Sequence, residues 1–154
     1  MTAREYLDQI RRLDQLINSK LTILSSLEAS ATRTTGSMEG ETVSHTRNVH
    51  ALQDTIARIM DLNQEIEADT DALVDLREEA LHVIQRLDDA SCQTVLILHY
   101  VQLEPWKEVA AAMNYNLRSV YKIRDRAIEQ LDAMITEGKI VIGQSRAFEG
   151  NPHM

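Results

Sequence analysis

The chain has 154 residues, 44% of them hydrophobic, with five Gly, two Pro, one Cys and six aromatics, which excludes disorder of the whole chain and, for want of turn formers, an all-β sandwich. No window supplies the ~18 apolar residues of a bilayer span, the charged amphipathic start MTAREYLDQIRRLD is no secretory signal, and one Cys cannot form an internal disulfide. Net charge is −8, with −7 on residues 1–80 and +2 on residues 106–131; global acidity argues against a nonspecific nucleic-acid binder, while a local basic helix fits a small, directed contact with a polyanion.

Residues 3–28 predict one helix. Tyr6, Ile10, Leu13, Ile17, Lys20, Leu24 and Leu27 follow alternating steps of four and three, a coiled-coil seam in which Lys20 is the polar intrusion. Leu7, Leu16, Leu21 and Ile23 widen the apolar face, so the helix is expected to meet more than one neighbour. Residues 29–46, ASATRTTGSMEGETVSHT, lose the period and predict a flexible polar loop. Residues 47–87 predict a second long helix. There Leu52, Ile56, Ile59, Asn63, Ile66, Thr70 and Leu73 repeat the spacing, and Leu76, Ala80, Ile84 and Leu87 continue it after a small register change. An antiparallel hairpin follows. Two helices expose too much apolar surface to stand alone, so a homodimer, a higher homo-oligomer or another partner is expected.

The run Leu87-Asp88-Asp89-Ala90-Ser91 breaks the pattern, with Asp89 or Ser91 able to cap a new helix. Residues 92–101, CQTVLILHYV, predict a short buried helix. Pro105 stands at a first-turn position of the next helix, Trp106 to Met113. Asn114-Tyr115-Asn116 is a tight turn, because Asn tolerates the left-handed conformation that ends a helix. Asn116 caps a last helix, Leu117 to about Thr136, which Gly138 stops. The expected class is all-α: a helical hairpin over 1–88, a helix-turn-helix over 89–137 and a tail over 138–154.

The informative segment is Val95 to Leu131. Val109 and Ala110 should face inward on the first helix of the pair, and Val120, Ile123, Ala127 and Leu131 on the second. The opposite face of the second helix carries Arg118, Ser119, Tyr121, Lys122, Asp125 and Arg126. Short polar and basic groups at the N-terminal half of such a helix suit a major groove. Arg118 and Lys122 can donate to guanine, Ser119 and Tyr121 to bases or phosphate, and Lys107 and Arg124 to phosphate. The helix start at Asn116 adds a partial positive charge. Double-stranded DNA is the partner this reading implies, through Lys107, Asn116, Arg118, Ser119, Tyr121, Lys122, Arg124 and Arg126.

Other residues have plainer readings. Trp106 is expected in the core beside the turn. His45, His50, His82 and His99 lack ligand spacing, and Cys92 is expected to be a buried structural thiol. The acidic run from Glu65 to Glu79 lacks the Gly of a calcium loop and reads as a solvated helix face. Without Gly-rich loops or clustered polar groups, no catalytic residue, metal or cofactor is expected, and the protein is not expected to be an enzyme.

The stretch WKEVAAAMNYNLRSVYKIRDRAIEQL resembles region 4 of sigma-70-type factors, on Glu108-Val109-Ala110, Val120, Ile123, Ala127-Ile128 and Leu131. The resemblance covers about the last 50 residues before Gly138. The whole chain, opening Ala3-Arg4-Glu5-Tyr6-Leu7, is similar to a family of small phage and prophage proteins related to the RinA/ArpU-type late-gene regulators. That resemblance implies control of phage transcription in the cytoplasm of a bacterial host, with RNA polymerase a further candidate partner and no membrane association. Asn114 stands where Gly is commoner, and sigma regions 2 and 3 have no counterpart, so the chain is not expected to melt a promoter alone. Two other readings share the same elements. A small DNA-packaging subunit also joins a helix-turn-helix to oligomerising helices, and an interaction protein could bind RNA polymerase or a host regulator through its acidic helices.

Overall fold

The structure, a computed structural model, describes residues 1–36 and 42–144. The protein is all-α, with no strand among the described residues. In chain order the elements are α1 (Ala3–Gly36), α2 (Thr42–Ile84), α3 (Ala90–Leu96), which continues as a π-helical turn over Ile97–Val101, α4 (Trp106–Met113) and α5 (Leu117–Thr136). No helix among the described residues is long and apolar enough to cross a membrane.

Both long helices extend further into 29–46 than the sequence predicts. Helix α1 reaches Gly36 and α2 starts at Thr42, so residues 29–36 and 42–46 are helical and residues 37–41 lie outside the described residues. The seam in fact continues through Ala31, which is half-buried four residues beyond Leu27. An alanine carries little apolar signal but is the best helix former. Thr32, one of the hydroxyl residues that suggested a loop, is accommodated in the helix, its hydroxyl donating to the Glu28 carbonyl at 3.0 Å.

The register of α2 also differs from the expectation. The less exposed positions are Leu52, Thr55, Ile59, Leu62, Ile66, Asp69 and Leu73, whereas Ile56, Asn63 and Thr70 are exposed. The steps run three then four without interruption, and Leu76, Ala80 and Val83 continue them with no register change. Both templates share every seventh residue, and the apolar Ile56 pulled the reading one residue out between them.

The chain forms two compact units, residues 1–14 with 71–154, and residues 15–70. This division differs from one at residue 88, because the start of α1 and the end of α2 are built into the first unit. There Ala3, Tyr6, Leu7 and Ile10 of α1 are buried, as are Leu76, Ala80, Ile84 and Leu87 from the α2 side. The Ala3 amide donates to the Asp132 carboxylate of α5 at 2.7 Å. Glu79 is a hub. Its Oε1 accepts from the Tyr6 hydroxyl at 3.0 Å and from the Gly143 amide at 2.7 Å. Burial, together with the Glu79 charge, pushes the Tyr6 hydroxyl far above the ordinary phenol range and keeps it a donor. The segment after α5 is thus anchored rather than loose as far as Gln144, and Ile140 in it is buried.

In the second unit, the α1 and α2 segments are tied by Lys20. Its ammonium lies 2.6 Å from Asp69 and 3.7 Å from Glu65. The polar intrusion in one seam therefore meets a polar residue of the other, which fixes register.

Candidate nucleic-acid interface

Local capping sets the geometry of α3, α4 and α5. Asp89 is extended and accepts from the amides of Ser91 and Cys92 at 2.7 and 3.2 Å, which starts α3. The π-helical turn ends at Val101 with Gln102 as its cap, and Leu103 follows at φ 60°. A non-Gly residue in this left-handed region is uncommon. Pro105, extended, is the N-cap of α4 rather than its first helical residue, so Trp106 opens the helix.

Helix α4 ends as expected, with Asn114 left-handed at φ 57° and ψ 37° and the Tyr115 amide donating to the Ala110 carbonyl at 3.0 Å. Asn116 is extended, and its Oδ1 accepts from the Ser119 amide at 2.8 Å to start α5. Beneath the turn, Val95, Val109, Ala110 and Val120 form a buried cluster, with Leu98, Trp106, Met113 and Ile123 packed against it. Further along α5, Ala127, Ile128 and Leu131 are buried. Three short helices thus share an apolar centre, and α5 presents its other face outward.

On that face Arg118, Tyr121 and Lys122 are exposed within the first two turns, spaced three and four apart, with Ser119 half-buried beside them. Lys107 is exposed on the first turn of α4. Among the described residues, Lys107, Arg118 and Lys122 form no ion pair. The other two basic residues are engaged within the fold. Arg124 is half-buried. Its guanidinium lies 4.8 Å from the Tyr121 ring centre and 5.3 Å from that of Trp106, and its terminal nitrogen is 2.9 Å from Asp125. Arg126 donates to Asp89 at 3.2 Å, linking α5 to the cap of α3. Asp125 also lies 3.8 Å from Arg4 of α1, so two arginines offset the acid on this face.

Spacing gave no hint of an aromatic ladder under the face. His99 stacks on Trp106 with ring centres 3.6 Å apart and planes 15° from parallel. Trp106 meets Tyr121 edge-on at 5.7 Å. The His99 Nδ1 lies 2.8 Å from the Glu104 carbonyl, so Nδ1–H is the donor, as a carbonyl can only accept. Burial holds the His99 pKa below the ordinary histidine value. Trp106 is half-buried against the cluster, Cys92 is fully buried, and no group of three His, Cys, Asp or Glu is placed to hold a metal among the described residues. The arrangement can present two unpaired cations and two hydroxyls to a polyanion from a helix held at both ends.

No curated protein and no solved structure matches the chain. A family model does match residues 32–132, across α2, α3, α4 and most of α5. The chain belongs to that family, DUF1492, described as a protein of unknown function.

Proposed function

We propose that the protein is a sequence-specific, double-stranded-DNA-binding transcription regulator of the phage type. In this reading α4, the turn at Asn114–Asn116 and α5 act as a helix-turn-helix similar to sigma region 4, and α5 enters a major groove. The observation that carries it is the pairing of a tightly capped three-residue turn with unpaired Arg118 and Lys122 on the outward first turns of α5. Arg118 and Lys122 donate to base edges, Ser119 and Tyr121 to bases or phosphate, and Lys107 to phosphate. Arg124 and Arg126 brace α5 from within, so their loss would act through the position of the helix.

The test is fluorescence anisotropy on a duplex enriched from random sequence. Arg118→Ala or Lys122→Ala is expected to cost about 1–3 kcal/mol and to relax base preference at one position. Lys107→Ala is expected to weaken all sequences alike and to lower the salt slope by about one. An ordinary charged surface would lose only nonspecific affinity. Full binding with unchanged preference in the Arg118 and Lys122 variants contradicts the reading.

A further inference from the structure

The start of α5 carries one large side chain that hydrogen bonding does not use. Leu117 opens the helix and is 41% exposed. It lies outside the buried cluster of Val95, Val109, Ala110 and Val120 and is not one of the side chains packed against it. An exposed leucine by itself is ordinary. This one stands within the proposed reading face. Tyr121, 36% exposed, is four residues on, so the two are neighbours along one row of the helix. Arg118 and Lys122, both exposed, form the next row, one residue round. At about 3.6 residues per turn, the four side chains leave α5 within less than half of its circumference.

The surroundings of Leu117 are held in place. The Asn116 side chain caps the helix through the Ser119 amide at 2.8 Å, which keeps the first turn from fraying. The Tyr121 ring meets Trp106 edge-on at 5.7 Å, and the Arg124 guanidinium lies 4.8 Å from its centre. An apolar contact made here is therefore preorganised.

The chemistry of the groove decides what such a contact can meet. Base edges in the major groove are hydrogen-bond donors and acceptors, with one apolar exception, the C5-methyl group of thymine. Leucine has no donor or acceptor, so any other base edge that it covers loses water without gaining a partner. Lys107, Arg118 and Lys122, without ion pairs among the described residues, supply the charge that flanking phosphates match.

We propose that Leu117 selects thymine, its side chain packing on the C5-methyl group of a thymine beside the base pair read by Arg118 or Lys122. The inference rests on the DNA reading above and names a base that the apolar row of α5 chooses.

The test removes the methyl group and nothing else. Each thymine on either strand of the motif selected by the full chain is replaced in turn by deoxyuridine, and binding is followed by fluorescence anisotropy. At one thymine the wild type is expected to bind the uracil duplex about fourfold more weakly, the worth of one buried methyl-sized group. Leu117→Ala is expected to bind the thymine and uracil duplexes alike at that position and to keep the guanine preference. Alanine suits an exposed helix position, so helicity by circular dichroism should be unchanged. A selected motif without thymine, a wild type indifferent to the loss of every methyl group, or an equal response in Leu117→Ala would overturn the proposal and leave sequence-selective binding standing. Binding with no base preference would overturn it together with the DNA reading.

Discussion

At the residue scale, the His99 ring holds α4 to the π-helical turn. It stacks on Trp106 and donates to the Glu104 carbonyl. Its pKa is lowered chiefly by burial, with the positive charges of Arg11 and Arg124 acting the same way and Asp8 and the Glu104 carbonyl opposing. A depressed histidine pKa means that the unfolded chain takes up a proton first. This contribution to stability is therefore intact above the ordinary value of 6.5 and declines as pH falls below it. Carboxylates give their own acid dependence, so the comparison is with His99→Phe, which keeps a ring against Trp106. Urea denaturation at pH 7.5 and at pH 5.5 is expected to show a larger loss for the wild type than for the variant. Equal losses would mean that His99 is protonated without strain in the fold. Nothing in the spacing of His99, Trp106, Tyr121 and Arg124 announced this ladder. It depends on how α4 and α5 cross, which no single helix period encodes. The outward placement of Arg118, Tyr121 and Lys122 was legible, because it follows from one helix and its apolar stripe. The engagement of Arg124 and Arg126 was not, because Trp106 and Asp89 reach them from other elements.

At the element scale, the turn between α4 and α5 is carried by two asparagines of different conformation. Asn114 is left-handed and Asn116 extended. Asn114→Ala is expected to cost about 1 kcal/mol, since a β-carbon without a polar side chain is strained there, while Asn114→Gly should be near neutral. Thermal denaturation checks both, and an equal effect of the two would mean that the side chain, not the backbone angle, matters. These caps were legible because Asn in such positions has one main physical use. The short helices were legible for the same reason, flanked by Asp89, Pro105, Asn116 and Gly138. The π-helical turn over Ile97–Val101 was not, since its apolar run fits a plain α-helix equally well. In the long helices, periodicity revealed the elements but not their ends or the full register. Ala31 and Thr55 occupy inward positions without a strong apolar signal, and Ile56 gives such a signal from an exposed one.

At the scale of the whole molecule, chain order and compact units do not coincide. The first fourteen residues and the end of α2 belong with the short helices, an arrangement set by long-range contacts such as Ala3 to Asp132 and Tyr6 to Glu79. Such contacts leave no local trace, so the sequence placed the boundary where periodicity breaks. The same holds for the segment after α5, where the amides of Gly143 and Gln144 meet Glu79. The central claim is that α5 reads DNA sequence. Its most direct test is selection from a random duplex library with the full chain, followed by sequencing of the bound pool. The account predicts enrichment of a short motif that includes a guanine contact, and loss of preference at that position with Lys122→Ala. A pool that remains random, with binding that is absent or shared equally by all sequences, would contradict it.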